Sequence, residues 1–276
     1  MKSTLLSIML LTTALPAGAE LIVTYAEDPN LNLSSLANTN VFTFDQLKTG
    51  VNKNVSWSGV GSFNQLYVKG ADVYGGAADA ANPNGTKYSL QGAGTGVLSS
   101  TLTLEKSSSY FGMWWSAGDP YNKLDFYQGS QLVGSFTTAS LLGLLPDTYF
   151  GNPKDRSLDA GEPFAFINFF GDPKTAWDKI VLSNNNSSGF ESDNYTTRVT
   201  AWNPLVDGAL PGVPVALVSG TTTTKATKES LAGTPWSLGQ SPVGAAPGAP
   251  APPVTLLAAF AGVLALRQVR AKRRTA

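Results

Sequence analysis

The chain has 276 residues, of which 42% are hydrophobic and only 14% charged, with 19 basic residues against 19 acidic ones. It contains no cysteine and no histidine, which excludes disulfides, thiol chemistry, His/Cys-ligated zinc and any His-dependent catalytic triad. The apolar fraction suffices for a real core. The shortfall of charge, against roughly 25% in average soluble domains, is filled by Gly, Ser, Thr and Asn, as suits a hydroxyl- and amide-rich extracellular β surface.

The first segment, "MKSTLLSIMLLTTALPAGAE", carries Lys2, then an apolar stretch from Leu5 to Leu15, then Ala17-Gly18-Ala19. A short positive region, an apolar stretch too short to span a bilayer and an A-x-A site make a secretory signal peptide. Residues 1–19 are therefore expected to be removed, with cleavage governed by Ala17 and Ala19. From Ile22 to Trp202 short β-like runs follow one another: "VFTF", "SFNQLYV", "TLTL", "YFGMWWS", "KLDFYQ", "QLVGSFTT", "FAFINFF", "WDKIVLS" and "TTRVTAW". Most are bounded by Gly, Asn, Asp or Pro, with no helical period between them. This spacing predicts an all-β ectodomain over 20–236, an antiparallel β-sandwich of jelly-roll type. "TASLLGLLPD" is the one predicted short helix, ended by Pro146 and Asp147, and "PGVPVALVSGTTTTKAT" adds a last strand or two.

Residues 237–253 are Pro-, Gly- and Ala-rich and read as an extended linker. Residues 254–276 begin with an apolar run, Val254 to Leu266, somewhat short of the roughly 20 residues a spanning helix needs. It is followed by Arg267, Arg270, Lys272, Arg273 and Arg274. Arginines at the boundary can snorkel, and the positive-inside rule places this end in the cytoplasm with the ectodomain outside. A single C-terminal hydrophobic helix in the inner membrane is the expectation. Outside the signal and the tail, thirteen basic side chains face all nineteen acidic ones, so the ectodomain is acidic and nucleic acid is not an expected partner.

The tail resembles that of the PEP-CTERM class of bacterial exported proteins, which are sorted by the membrane protease exosortase. The matching positions are Pro250, Ala251 and Pro252, the span after them, and the basic end with Arg267, Arg270, Arg273 and Arg274; Ala251 stands where the family has Glu. The centre of the chain resembles a domain frequent in that class, grouped under a Nostoc-type surface domain. "SSYFGMWWSAGDPYNKLDFYQGSQLVGSFTT", "FAFINFFGDPKTAWDKIVLSN" and "SGFESDNYTTRV" carry that likeness. The resemblance implies a surface or extracellular-matrix protein of structural or adhesive kind, held first in the inner membrane and then released to the cell surface or a biofilm exopolysaccharide. Its implied partners are an exosortase-like protease and polysaccharide. The alternative is a carbohydrate-binding module for exopolysaccharide, and after that a glycan-active hydrolase.

If 111–116 is a strand, Phe111, Met113 and Trp115 point one way and Gly112, Trp114 and Ser116 the other. One of Trp114 and Trp115 is then core, and the other a stacking plane for sugar with Tyr121 as partner. The oxygens of Asp119, Asn122, Asp125, Glu191, Asp193 and Asn194 suggest loop ligands, and Asp119, Asp125, Glu191 and Asp193 are the candidate ligands of a structural calcium, the sole cofactor considered. No catalytic site is expected. Glu162 and Glu191 are the carboxyls that a glycoside hydrolase would have to use.

Overall fold

The computed structural model describes residues 20–78, 82–184 and 188–237. The signal (1–19), the tail (254–276) and all of the linker but Ser237 lie outside the described residues. Among the described residues the strands all belong to one unit, the one that ends at Gly239. Among the described residues no helix is long and apolar enough to cross a membrane.

Among the described residues strand accounts for 48% and helix for 5%, so the all-β expectation holds. The fourteen strands are β1 (Leu21–Tyr25), β2 (Asn40–Phe42), β3 (Gly50–Trp57), β4 (Gly61–Lys69), β5 (Tyr88–Gly92), β6 (Ser99–Ser108), β7 (Tyr110–Ser116), β8 (Asn122–Gln128), β9 (Gln131–Thr137), β10 (Ala165–Gly171), β11 (Trp177–Asn184), β12 (Gly189–Arg198), β13 (Val213–Ser219) and β14 (Thr222–Lys225). Every ladder between them is antiparallel. They form one sheet in the order β14-β13-β1-β10-β7-β12-β5-β4-β6-β11-β8-β9, with β2 added to β12 and β3 to β4. The two ends of this path approach each other. Ser135 N–H on β9 donates to Gly220 O in the β13–β14 turn (2.7 Å), and Gly220 N–H donates to Val133 O (3.0 Å). The sheet is thus nearly closed into a barrel.

Alternation along the strands puts one face into a single aromatic-rich core. Phe111, Met113 and Trp115 of β7 meet Phe126 of β8, Phe169 of β10 and Trp177 of β11 there, with Phe126 lying 4.9 Å from Trp177 and 5.1 Å from Phe169 between ring centroids. Strands β1, β7 and β10 are buried along their whole length, because loops cover their outer faces too. Ile22, Tyr110 and Phe170 pack there against Trp202, Leu210, Leu231 and Trp236. Trp114 and Phe166 pack against Ala77 and Phe164. Gly112 sits where these layers squeeze the backbone: a Cβ would meet the Phe166 ring and the Tyr110 hydroxyl. That is a physical reason for the aromatic-Gly-aromatic run in β7.

The expected helix is present as α1 (Ala139–Leu142), followed by a 3-10 turn at Asp147–Tyr149 whose N-cap is Pro146. A second short helix, α2 (Pro204–Asp207), is started by the Asn203 side chain accepting from Leu205 N–H. Arg198 anchors it. Its guanidinium donates to both oxygens of Asp207 (2.7 and 2.8 Å) and to the carbonyls of Thr200 and Ala201. That charged hydrogen bonding holds the Asp207 carboxyl below its usual range.

Two expectations need correction. The strand expected at "TTRVTAW" runs instead over Gly189–Arg198, so "FESDN" lies inside the sheet, while Trp202 leaves it and stacks on Trp236 at 6.2 Å. Strands β1, β3 and β5 add to the expected set; β3 escapes the apolar pattern because it is a mostly polar edge strand paired only with β4.

Candidate functional site

The parity expected for β7 holds: Trp115 faces the main core and Trp114 the opposite side. Trp115 is fully buried, and its indole N–H donates to Asn122 Oδ1 at 2.7 Å. A ring so placed cannot stack on a sugar. Trp114 is only 2% exposed and packs against Phe164 at 5.8 Å. It contributes to the wall of a cavity of about 730 Å³ that is also lined by Asn30, Asn32, Asn84 and Asn152, yet it offers no open ring plane. Tyr121 is 55% exposed and does not line that cavity. The three aromatics therefore do not form one stacking platform.

The four candidate calcium ligands are not gathered either. Among the described residues no three Asp, Glu, His or Cys side chains are placed to hold a metal ion. Asp125 lies on β8, ion-paired with Lys123 at 2.8 Å. Asp119 Oδ1 accepts from Tyr121 N–H, an Asx turn. Asp193, fully buried on β12, accepts from Thr86 Oγ1 (2.6 Å), Ala77 N–H (3.1 Å) and Asn194 N–H (2.7 Å). Burial nonetheless pushes its carboxyl up to about 7, with those donors pulling against it. Asp125, Glu191 and Asp193 belong to strands and not to loops.

What the fold does bring together is a second cleft, of about 390 Å³, on the outer face of β4, β5 and β12. Leu66 and Val68 of β4 point into the core, so Tyr67 and Lys69 point out of it. Leu90 of β5, paired with Glu191 of β12, lies beside them. Asp119 comes from the end of the β7 segment and Glu162 from the 149–164 loop, and Tyr74 arrives from the loop after β4. The result is two tyrosines, three carboxyls and one lysine around Leu90.

The electrostatics of this cleft are unbalanced. Glu191 is 8% exposed, and among the described residues its carboxylate is hydrogen-bonded by nothing but its own backbone N–H. Burial, with Asp119 and Glu162 nearby, pushes it up to about 8. Burial and the neighbouring Asp159 likewise push Glu162 up to about 7. Asp159 Oδ2 is buried with no donor when both acids are ionised, so a proton shared with Glu162 satisfies the pair. Lys69 does not neutralise Glu191: its ammonium is 2.6 Å from Asp72 and lies 5.5 Å above the Tyr74 ring. Gly189 packs against the Glu191 carboxyl group, which would have to shift to admit a Cβ there.

Of this constellation, Asp119, Glu162 and Glu191 stand out in the sequence, whereas Tyr67, Lys69 and Tyr74 do not. The usable signal for two of them is the alternation in "SFNQLYVKG", whose outward parity contains Tyr67 and Lys69.

No family model matches the chain, and no curated protein matches it. Among solved structures, the catalytic domain of a GH87 alpha-1,3-glucanase in complex with tetrasaccharides aligns at 16% identity with a TM-score of 0.27. The alignment covers 68% of this chain and 30% of that one, and at this score it assigns neither fold nor activity.

Proposed function

We propose that the protein is an exported surface or matrix protein whose ectodomain adheres to polysaccharide through the tyrosine- and carboxyl-lined cleft between β4, β12 and the 149–164 loop. The observation that carries the adhesive part is the cleft itself. Tyr67 and the 45%-exposed Tyr74 line it beside protonatable carboxyls, and sugar rings are held by such pairings of aromatic side chains with hydroxyl-directed polar groups. The finer architecture is a flattened antiparallel sandwich of jelly-roll type, supported by inward residues from both halves of the sheet meeting in one core.

In this adhesive role Glu162 and Glu191, both raised by burial, serve as hydrogen-bonding groups toward sugar hydroxyls. Expected results are direct. Tyr67→Ala and Tyr74→Ala should each weaken retention on host exopolysaccharide by about 3- to 10-fold in affinity electrophoresis. Unchanged retention in both would remove the cleft from the adhesive reading.

The sorting part rests on the ends of the chain. The signal at 1–19 exports the protein, the 254–276 segment holds it in the inner membrane, and an exosortase-like protease cuts near Pro250–Pro253 after the 237–253 linker. Intact mass of the extracellular form in the native host should lack Arg267 to Arg274. A species retaining those arginines would mean a permanent anchor instead.

A further inference from the structure

We propose that the cleft selects glycans bearing a free amine, taking the ammonium of an amino sugar against Glu191 with Glu162 and Asp119 as its companions. The inference rests on the glycan-binding reading above and names the ligand's chemistry. Its ground is a missing countercharge. Glu191 is more than nine-tenths buried, lines the cleft, and receives no hydrogen bond from any other described residue. The groups facing it are Asp119 from the β7 segment, Glu162 from the 149–164 loop and Tyr88 of β5, with Lys69 of β4 the nearby cation. Lys69 is already held by Asp72.

Carboxyls in such a place avoid ionisation because water has been removed and the nearby cation, Lys69, is tied to Asp72. An ammonium entering the cleft supplies a free cation. Its charge favours the ionised carboxylates, so binding must release protons from the cleft. An N-acetylated or plain hydroxyl-bearing sugar brings no charge and releases none. The choice of amino sugar over a lysine side chain follows from the walls: two tyrosines, Tyr67 and Tyr74, line the cleft, and its volume accommodates a sugar ring rather than only a point charge.

The test uses the full chain, titrated calorimetrically at pH 6.5 with a glucosamine hexamer, an N-acetylglucosamine hexamer and trilysine. The glucosamine hexamer should bind at least 10-fold more tightly than its acetylated counterpart. Its heat should change between two buffers of different ionisation enthalpy, reporting proton release. Glu191→Gln should reduce the preference to less than 3-fold, and Glu162→Gln should lower it in the same direction, each variant being checked for an intact melting transition. Equal affinity for the two hexamers would overturn the amine selectivity while leaving glycan adhesion standing. Binding of neither hexamer would overturn both readings. Trilysine binding as tightly as the glucosamine hexamer would replace the amino sugar by a protein amine and overturn the assigned ligand class.

Discussion

Glu191→Gln is expected to make the protein more heat-stable at pH 9 than the wild type. Burial raises the Glu191 carboxyl to about 8 in the folded state, against about 4.3 in an unfolded chain. Between those values the folded state binds more protons, so the stability this group contributes is complete below about pH 4.3 and is lost as pH rises through about 8. Glu162 and Asp193, each raised to about 7, act with the same sign. Wild-type melting temperature should therefore fall steadily from pH 5 to pH 9. Glutamine keeps the shape and removes the charge. At about 1.4 kcal/mol per unit, discounted for relaxation of the site, the gain at pH 9 is about 3 kcal/mol, or roughly 5–10 °C for a domain of this size. At pH 4.5 the two proteins should melt within about 1 kcal/mol of each other. Circular-dichroism melts at the two pH values decide it: a variant no more stable than the wild type at pH 9 would mean that Glu191 is compensated in the fold.

The opposite and larger effect belongs to Trp115. Its fully buried ring belongs to the main core, and Gly118 packs so closely on it that a Cβ there would collide. Its N–H holds Asn122 Oδ1, and the Asn122 amide in turn donates to Gly189 O at 2.8 Å, so one side chain fastens β7 to the starts of β8 and β12. Trp115→Ala removes about 3–5 kcal/mol of packing and leaves Asn122 Oδ1 unpaired, a further cost of about 1–3 kcal/mol. The expected fall in melting temperature is more than 10 °C, with poor yield of folded protein. Trp115→Phe separates the two contributions, since it retains most of the apolar volume and forfeits the hydrogen bond. Its loss should be about 1–3 kcal/mol by urea denaturation. Equal losses for the two variants would show that the hydrogen bond, and not the ring, is what matters.

Glu191 and Trp115 are visible in the sequence to different degrees. Strands β7, β8 and β9 are legible because Gly129 and Ser130 mark a tight turn and because Leu124 and Phe126 alternate with polar neighbours. The parity of Trp114 and Trp115 follows from strand geometry alone. What parity cannot reveal is coverage. Trp114 and Asp193 face outward from the sheet but are roofed by the loop carrying Ala77 and Thr86, more than a hundred residues from Asp193 in sequence. For the same reason "FESDN" reads as a loop. It is a polar run buried in a sheet, satisfied by donors that no local pattern announces. The cleft is half legible. Its acids are noticeable as isolated residues, but their meeting depends on β4, β5 and β12 being neighbours, a long-range pairing that no spacing in the chain encodes.

That long-range pairing bears on how the chain matures. The first strand, β1, finds its partners only in β10 and β13, with Leu21 opposite Gly171 on one side and Val218 on the other. Closing such distant segments is entropically costly and slow. The sheet is therefore completed only after β13, near the end of the described residues, has been made, and that late closure needs no oxidation, since the chain has no cysteine.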